Sequence, residues 1–146
     1  MSISADVRKF NKELAAFAAT LEPQHIVPFT KKIAFQVLEG VIFNTPVDTG
    51  RARGNWLLEI GSEPKEEVDR FGSGAHPEAT EGNVGPAGSA ARDAGLGKLS
   101  TLKPFVPIYI TNNVPYIMAL EEGHSKQIQP HQMIKGTLDR VKAQFP

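Results

Sequence analysis

The sequence predicts an α+β fold: two N-terminal helices and a C-terminal helix packed on a small, mainly antiparallel sheet, with a long glycine-rich loop. Three observations predict it. Apolar residues recur at steps of three and four over about 4–21, 28–43 and 131–145, the period of helices with a buried stripe. Apolar and other side chains alternate over 55–60 and 105–111, the period of strands. Between those strands, residues 61–104 are rich in glycine and poor in large apolar side chains.

The first helix aligns Val7, Phe10, Leu14, Phe17 and Leu21, with Arg8, Lys9, Lys12 and Glu13 on its other sides. Ser4 is its candidate cap, and Pro23 stops the chain from continuing it. Pro28 can open a second helix, because proline is tolerated where the first-turn N–H groups have no intrahelical partner. That helix runs to Phe43 with Phe29, Ile33, Val37 and Val41 on one face, widened by Ala34, Leu38 and Ile42. Such a wide apolar surface predicts burial on two sides, one against the sheet and the other against the first helix or a neighbouring subunit. Pro46 and Gly50 mark a turn, after which Asn55–Ile60 reads as a strand anchored in the core by Trp56, the one tryptophan.

Residues 61–104 read as a flexible excursion within a single domain, 1–146, with at most a short helix from Ser89 to Leu99 that two glycines weaken. The excursion is expected to order only against partners. Phe105–Thr111 is the second strand, and Pro107, which cannot donate to a ladder, predicts an edge or a bulge there. Asn112-Asn113 is turn material, Pro115–Glu122 a short helix ended at Gly123 by a left-handed cap. The last helix, from about His131 to Phe145, aligns Ile134, Leu138, Val141 and Phe145.

Composition narrows the function. At 146 residues, 40% of them apolar, the chain suffices for one real core. Formal net charge is zero, whereas a protein built to grip nucleic acid carries a basic surplus that neutralises phosphates. With no cysteine there is no disulfide framework and no thiolate metal site. Met1–Asp6 lacks a basic-then-apolar leader pattern and no segment has the length of a membrane span, so a soluble protein is expected.

The four histidines give no metal motif: no two are four residues apart on a helix, and no His-Glu-x-x-His pattern occurs. Glu121 and Glu122 near His124 are the one arrangement in which acid/base chemistry is conceivable, and carboxylates at a helix end are more often solvated. No nucleophile elbow and no phosphate-cradling loop is present. Arg51 and Arg53 follow Gly50 at alternate-residue spacing, which directs both to one side if the strand begins there. They read either as a solvated pair satisfied by Asp48 and Glu59 or as an intersubunit or channel-lining pair.

Two segments together carry a resemblance. One is Pro46-Val47-Asp48-Thr49-Gly50-Arg51-Ala52-Arg53-Gly54-Asn55-Trp56; the other is Asn112-Asn113-Val114-Pro115-Tyr116, followed by Glu121-Glu122-Gly123-His124-Ser125-Lys126-Gln127. Their order and spacing resemble the minor tail component, or tail-completion (neck), family of long-tailed double-stranded DNA bacteriophages. That family has a Pro-x-Asp-Thr-Gly-x-x-Arg turn, then Asn and an aromatic, and later Asn-x-x-Pro-Tyr and an acidic-Gly-x-Ser-x-Gln run. The likeness covers about 44–60 and 106–135; Ile128–Met133 departs from the family's Ala-Pro-x-Gly-Met, keeping only Pro130 and Met133.

What the resemblance implies is a non-enzymatic structural virion protein at the head-tail neck or the head-proximal end of the tail, made in the host cytoplasm. It implies a ring, six-membered by expectation, contacting a tail terminator or tail tube protein on one face and a head-tail connector or stopper protein on the other. DNA would pass through without sequence-specific binding, and neither cofactor nor metal nor membrane is implied. Arg51, Arg53, Tyr116, Glu121, Ser125 and Gln127 are the candidate interface or channel residues, and Pro46, Asp48, Thr49, Gly50 and Asn55 form the motif turn. The rival readings are a tail terminator protein, a non-virion adaptor or binding module using the Tyr116–Gln127 surface, and a small hydrolase or lyase built on Glu121, His124 and His131.

Overall fold

The computed structural model describes residues 3–46, 50–70, 85–123 and 131–144. Within them the chain forms α1 (Ile3–Ala18), α2 (Pro23–Phe43), α3 (Arg51–Gly54), β1 (Trp56–Ile60), α4 (Gly85–Leu99), β2 (Ile108–Asn112), α5 (Ile117–Glu122) and α6 (Met133–Lys142). The two strands pair antiparallel, Trp56 opposite Asn112 and Ile60 opposite Ile108, so the α+β class holds with a two-stranded sheet among the described residues. No helix among them is long and apolar enough to cross a membrane.

The α2 helix is the centre of the molecule, and its wide apolar surface does what its pattern demands. Ala34, Leu38 and Ile42 enter the main core with Trp56 and Leu58 of β1, Ala91 and Leu99 of α4 and Met133 of α6. Ile33 turns to a second cluster, where Phe10 of α1 meets Leu138 and Val141 of α6. The α1–α2 connection is short, and Phe17 packs across it on Phe29 with ring centroids 5.0 Å apart. Pro23 does not merely stop α1: it occupies the first position of α2, five residues before the Pro28 start that the sequence suggests, and Pro28 is accommodated inside the helix. The preceding Glu22 is extended (φ −68°, ψ 147°), the conformation that a residue before proline prefers.

The largest departure from the sequence reading is α4. Within the stretch expected to be a flexible excursion with at most a helix from Ser89, a 15-residue helix starts at Gly85 and runs through the core. Its buried face is Ala87, Gly88, Ala91, Gly95 and Leu99, all but the leucine small, at helical spacing. They bury little area each, but they let α4 lie close against α2 and β1. A Cβ at Gly95 would collide with Leu38 Cδ2. Tertiary packing thus overrides the low propensity of the glycines. Residues 61–70 are also placed, with Val68 tied to Asn55, while 71–84 lie outside the described residues.

The ladder ends where Pro107 stands. Its N cannot donate, but its carbonyl accepts from Gly61 N–H at 2.8 Å, so the proline closes the sheet from just outside β2 rather than from within it. Gly123 follows α5 with φ 80° as its role requires, but ψ is 155°, which is the extended glycine-only region and not the left-handed cap expected. Phe145, expected on the α6 stripe, lies outside the described residues; Met133, Thr137, Leu138 and Val141 form the buried face.

Candidate interaction surfaces

The two segments that carry the resemblance meet in space. Gly50, at φ 84°, opens the single helical turn α3 from a backbone conformation that a side chain rarely adopts. Residues two apart on a helical turn point to opposite sides, and the arginines do so instead of sharing one face of a strand. Arg53 is 4% exposed, and its Nε donates to the carbonyl of Thr45 at 2.7 Å. Burial pushes its guanidinium below its ordinary pKa. Arg51 points outward, where its Nε and Nη2 each donate to a Glu67 oxygen at 2.8 Å, a bidentate fork. Glu59, the acid proposed for the pair, is 3.0 Å from Lys98 instead. Asp48 lies outside the described residues, as do Thr49, Ser125 and Gln127, whereas Pro46 is half-buried.

Below this turn the polar side chains bind backbone. Asn55, buried, donates through Nδ2 to the carbonyls of Arg51 (2.9 Å) and Val68 (3.0 Å), and its Oδ1 accepts from Val68 N–H (2.7 Å). Asn112 at the end of β2 donates to Ala52 C=O at 2.8 Å and accepts from Val114 N–H at 3.1 Å. Asn113 donates to Pro64 C=O at 3.1 Å. The asparagines read from sequence as turn material are therefore clamps that tie α3, the 64–68 segment and β2 together. Thr45 joins them to the core: its hydroxyl accepts from Trp56 Nε1 (2.7 Å) and gives its single proton to Val41 C=O (2.6 Å).

Glu121 is likewise internal. At 2% exposure its two oxygens accept from Ile134 N–H (2.8 Å) and Lys135 N–H (3.1 Å), which places a carboxylate on the open N-terminus of α6. This is a structural cap joining α5 to α6, so Glu121, a candidate interface residue by sequence, is internal to the subunit instead. His131 is exposed and His124 lies outside the described residues. Among the described residues no three His, Asp or Glu side chains gather as a metal site.

Of the six candidate interface residues, Arg51 and Tyr116 are the pair that the structure brings together at the surface. The Arg51 Cζ lies 5.5 Å from the Tyr116 ring centroid, and Tyr116 is 39% exposed. Glu67, mainly through its hydrogen bonds, holds the Arg51 guanidinium above its ordinary pKa, and Arg51 in turn holds the Glu67 carboxyl below the usual range.

Two further surfaces were not singled out in the sequence. One is an apolar trough between α1, α2 and the 102–110 segment, made of two adjoining hollows of about 440 and 380 Å³ that share Asn11, Leu14, Thr30 and Val106. Among the described residues, Lys103 is the one charged side chain on its walls. Phe105 stands at its rim, 88% exposed and with φ 65°. The other is a hollow of about 400 Å³ where Arg92 and Arg140 face Gln36 and Glu39. The half-buried α1 stripe was the available signal for the trough, because Val7 and Leu14 are only partly covered by the rest of the chain.

Comparison with known protein families, with curated proteins and with solved structures finds no match to this chain.

Proposed function

We propose that this chain is a structural subunit of a tailed-phage virion, placed at the neck or the head-proximal end of the tail, where copies close into a ring around the DNA channel. One observation carries the reading: the two separated segments that resemble the tail-completion family form one spatial unit. Asn112 of the second segment clamps Ala52 of the first, and Tyr116 of the second lies against Arg51 of the first. Residues that share a motif because they share a substructure behave in this way. A non-enzymatic role is part of the proposal, since Glu121 is committed to capping α6.

In such a ring the work is geometric. Many weak copies of one contact sum to a stable closed assembly. Zero net charge suits a conduit through which DNA slides, because dense positive charge would hold the phosphates. The buried motif residues Arg53, Asn55 and Glu121 make each subunit rigid, and the surface pair Arg51 and Tyr116 is the motif's contribution to contacts with the adjoining tail or connector protein.

The test is native mass spectrometry and negative-stain microscopy of the purified chain, together with antibody labelling of particles from a strain carrying its gene. A closed ring with an open centre and label at the head-tail junction are the expected results. Particles that never carry the chain would end the virion reading, and a chain that stays monomeric at every concentration would end spontaneous ring formation.

A further inference from the structure

We propose that Phe105 is a knob that seats in the apolar trough of a second copy of this chain. The inference deepens the ring reading and rests on its self-assembling part, since it names the contact that joins neighbouring subunits.

Phe105 is 88% exposed, the most exposed large apolar side chain among the described residues. Its φ of 65° lies in a region that bulky residues rarely occupy, so its outward presentation is held against a local preference. Pro104 on one side and Pro107 just beyond Val106 restrict the same backbone. A ring presented on a stiffened segment loses little freedom when it docks.

The receptor is on the same molecule. Of its two hollows Phe105 lines one, and the walls of the other include Trp56, Ile110, Ile134 and Leu138. Phe105 is not among the described residues that line this second hollow. A projecting aromatic and an unfilled apolar hollow on one chain are the two halves of a contact that copies can make with each other. Charge does not oppose it: among the described residues the walls carry only Lys103, and the chain has zero formal net charge.

Area sets the strength. A seated aromatic buries about 150 Å² of its own surface, and the wall that receives it buries a similar amount. Together these make roughly a fifth of a standard interface of about 1,600 Å². One such contact does not hold two copies together at low concentration. It becomes effective when repeated around a closed assembly.

The experiment is sedimentation velocity and native mass spectrometry from micromolar to millimolar protein, on the wild type and on two complementary variants. Phe105→Ser removes the knob and leaves the trough. Leu14→Glu blocks the wall that both hollows share and leaves the knob; Asn11→Glu, at an exposed position on the same wall, replaces it if Leu14→Glu does not fold. The wild type should self-associate with rising concentration, and each variant alone should be monomeric with the wild-type circular dichroism spectrum. An equimolar mixture of the two should form a one-to-one heterodimer at the millimolar end of the range, because one intact knob then meets one intact trough without the closure that strengthens the wild-type assembly. If Phe105→Ser assembles like the wild type, the contact is wrong and the ring stands on another face. If the mixture stays monomeric even at millimolar concentration while the wild type assembles, the knob-and-trough pairing is wrong. If the wild type is monomeric throughout, self-assembly fails and the contact fails with it.

Discussion

Asn55→Ala removes the clamp at the centre of the motif unit. Its amide meets three backbone groups: Val68 N–H, Val68 C=O and Arg51 C=O. The donor counts most, because a partly buried N–H without an acceptor costs about 1–3 kcal/mol, whereas a carbonyl that loses one of several partners costs less. With the small void left by the side chain, the loss should be about 3 kcal/mol, which lowers the melting temperature by roughly 10 °C in a domain of this size. Asn55→Asp is the sharper probe. It keeps the acceptor for Val68 N–H but puts a carboxylate oxygen where the amide faced two carbonyls. The folded state therefore raises the pKa of that carboxyl above its unfolded value. A raised acid pKa destabilises the fold wherever the unfolded chain ionises and the folded one resists. The deficit of the Asp variant should thus be largest at neutral pH and shrink as pH falls toward about 4, where the protonated acid can donate to one carbonyl. Urea unfolding followed by Trp56 fluorescence, with circular dichroism as a second probe, measures both variants. A cost below about 1 kcal/mol for Asn55→Ala, or an Asp variant as stable as the wild type at neutral pH, would refute the clamp.

Two glycines of α4 should respond in opposite directions. Gly95→Ala should destabilise by about 1 kcal/mol net, since overpacking against the fully buried Leu38 outweighs the helix-propensity gain, while Gly97→Ala, with nothing within 4 Å of the new methyl, should stabilise by about 0.5–1 kcal/mol; thermal melts decide both. Glu121→Gln should cost about 1–2 kcal/mol by weakening the cap on α6, and hydrogen exchange should show it first at Ile134 and Lys135. The Arg51–Glu67 pair has a depressed carboxyl pKa in the folded state, so its contribution is fully present above the ordinary carboxylate range and is lost progressively as pH falls from that range through the depressed value. Comparing the melting temperature of Glu67→Gln with that of the wild type across an acid titration should show a difference that closes at low pH and stays open above it.

The sequence exposed those parts of the fold whose pattern matches their environment. The α2 helix is apolar on two sides because it is buried on two sides, and the alternation at 56–60 and 108–110 marks strands that pair. The α4 helix was illegible for a physical reason: its packing depends on what Gly88, Ala91 and Gly95 lack, and absent side chains leave no hydrophobic period to read. The motif unit was legible as a motif but not as chemistry. Arg53, Asn55 and Glu121 look like surface polar residues, and only the chain's path around them shows that each satisfies backbone groups that would otherwise be buried unpaired. Phe105 offered no signal against its neighbours, because exposure belongs to the fold and not to the residue type.

The two strands are not a hairpin, and this governs the order in which the chain organises itself. Ile60 and Ile108 pair across the whole of residues 61–107. Closing a loop of that length costs roughly 2 kcal/mol more than closing a hairpin of about four residues. The ladder is short, so it cannot repay that cost until other contacts have already drawn its ends together. Helix α4 does so across shorter spans, because it packs on β1 and on α2. By this arithmetic the α4 contacts precede the ladder. On the ribosome the same arithmetic leaves Trp56, Leu57 and Leu58 without their sheet partner until Asn112 has emerged, a window in which an apolar strand waits unpaired and is a natural client for a chaperone.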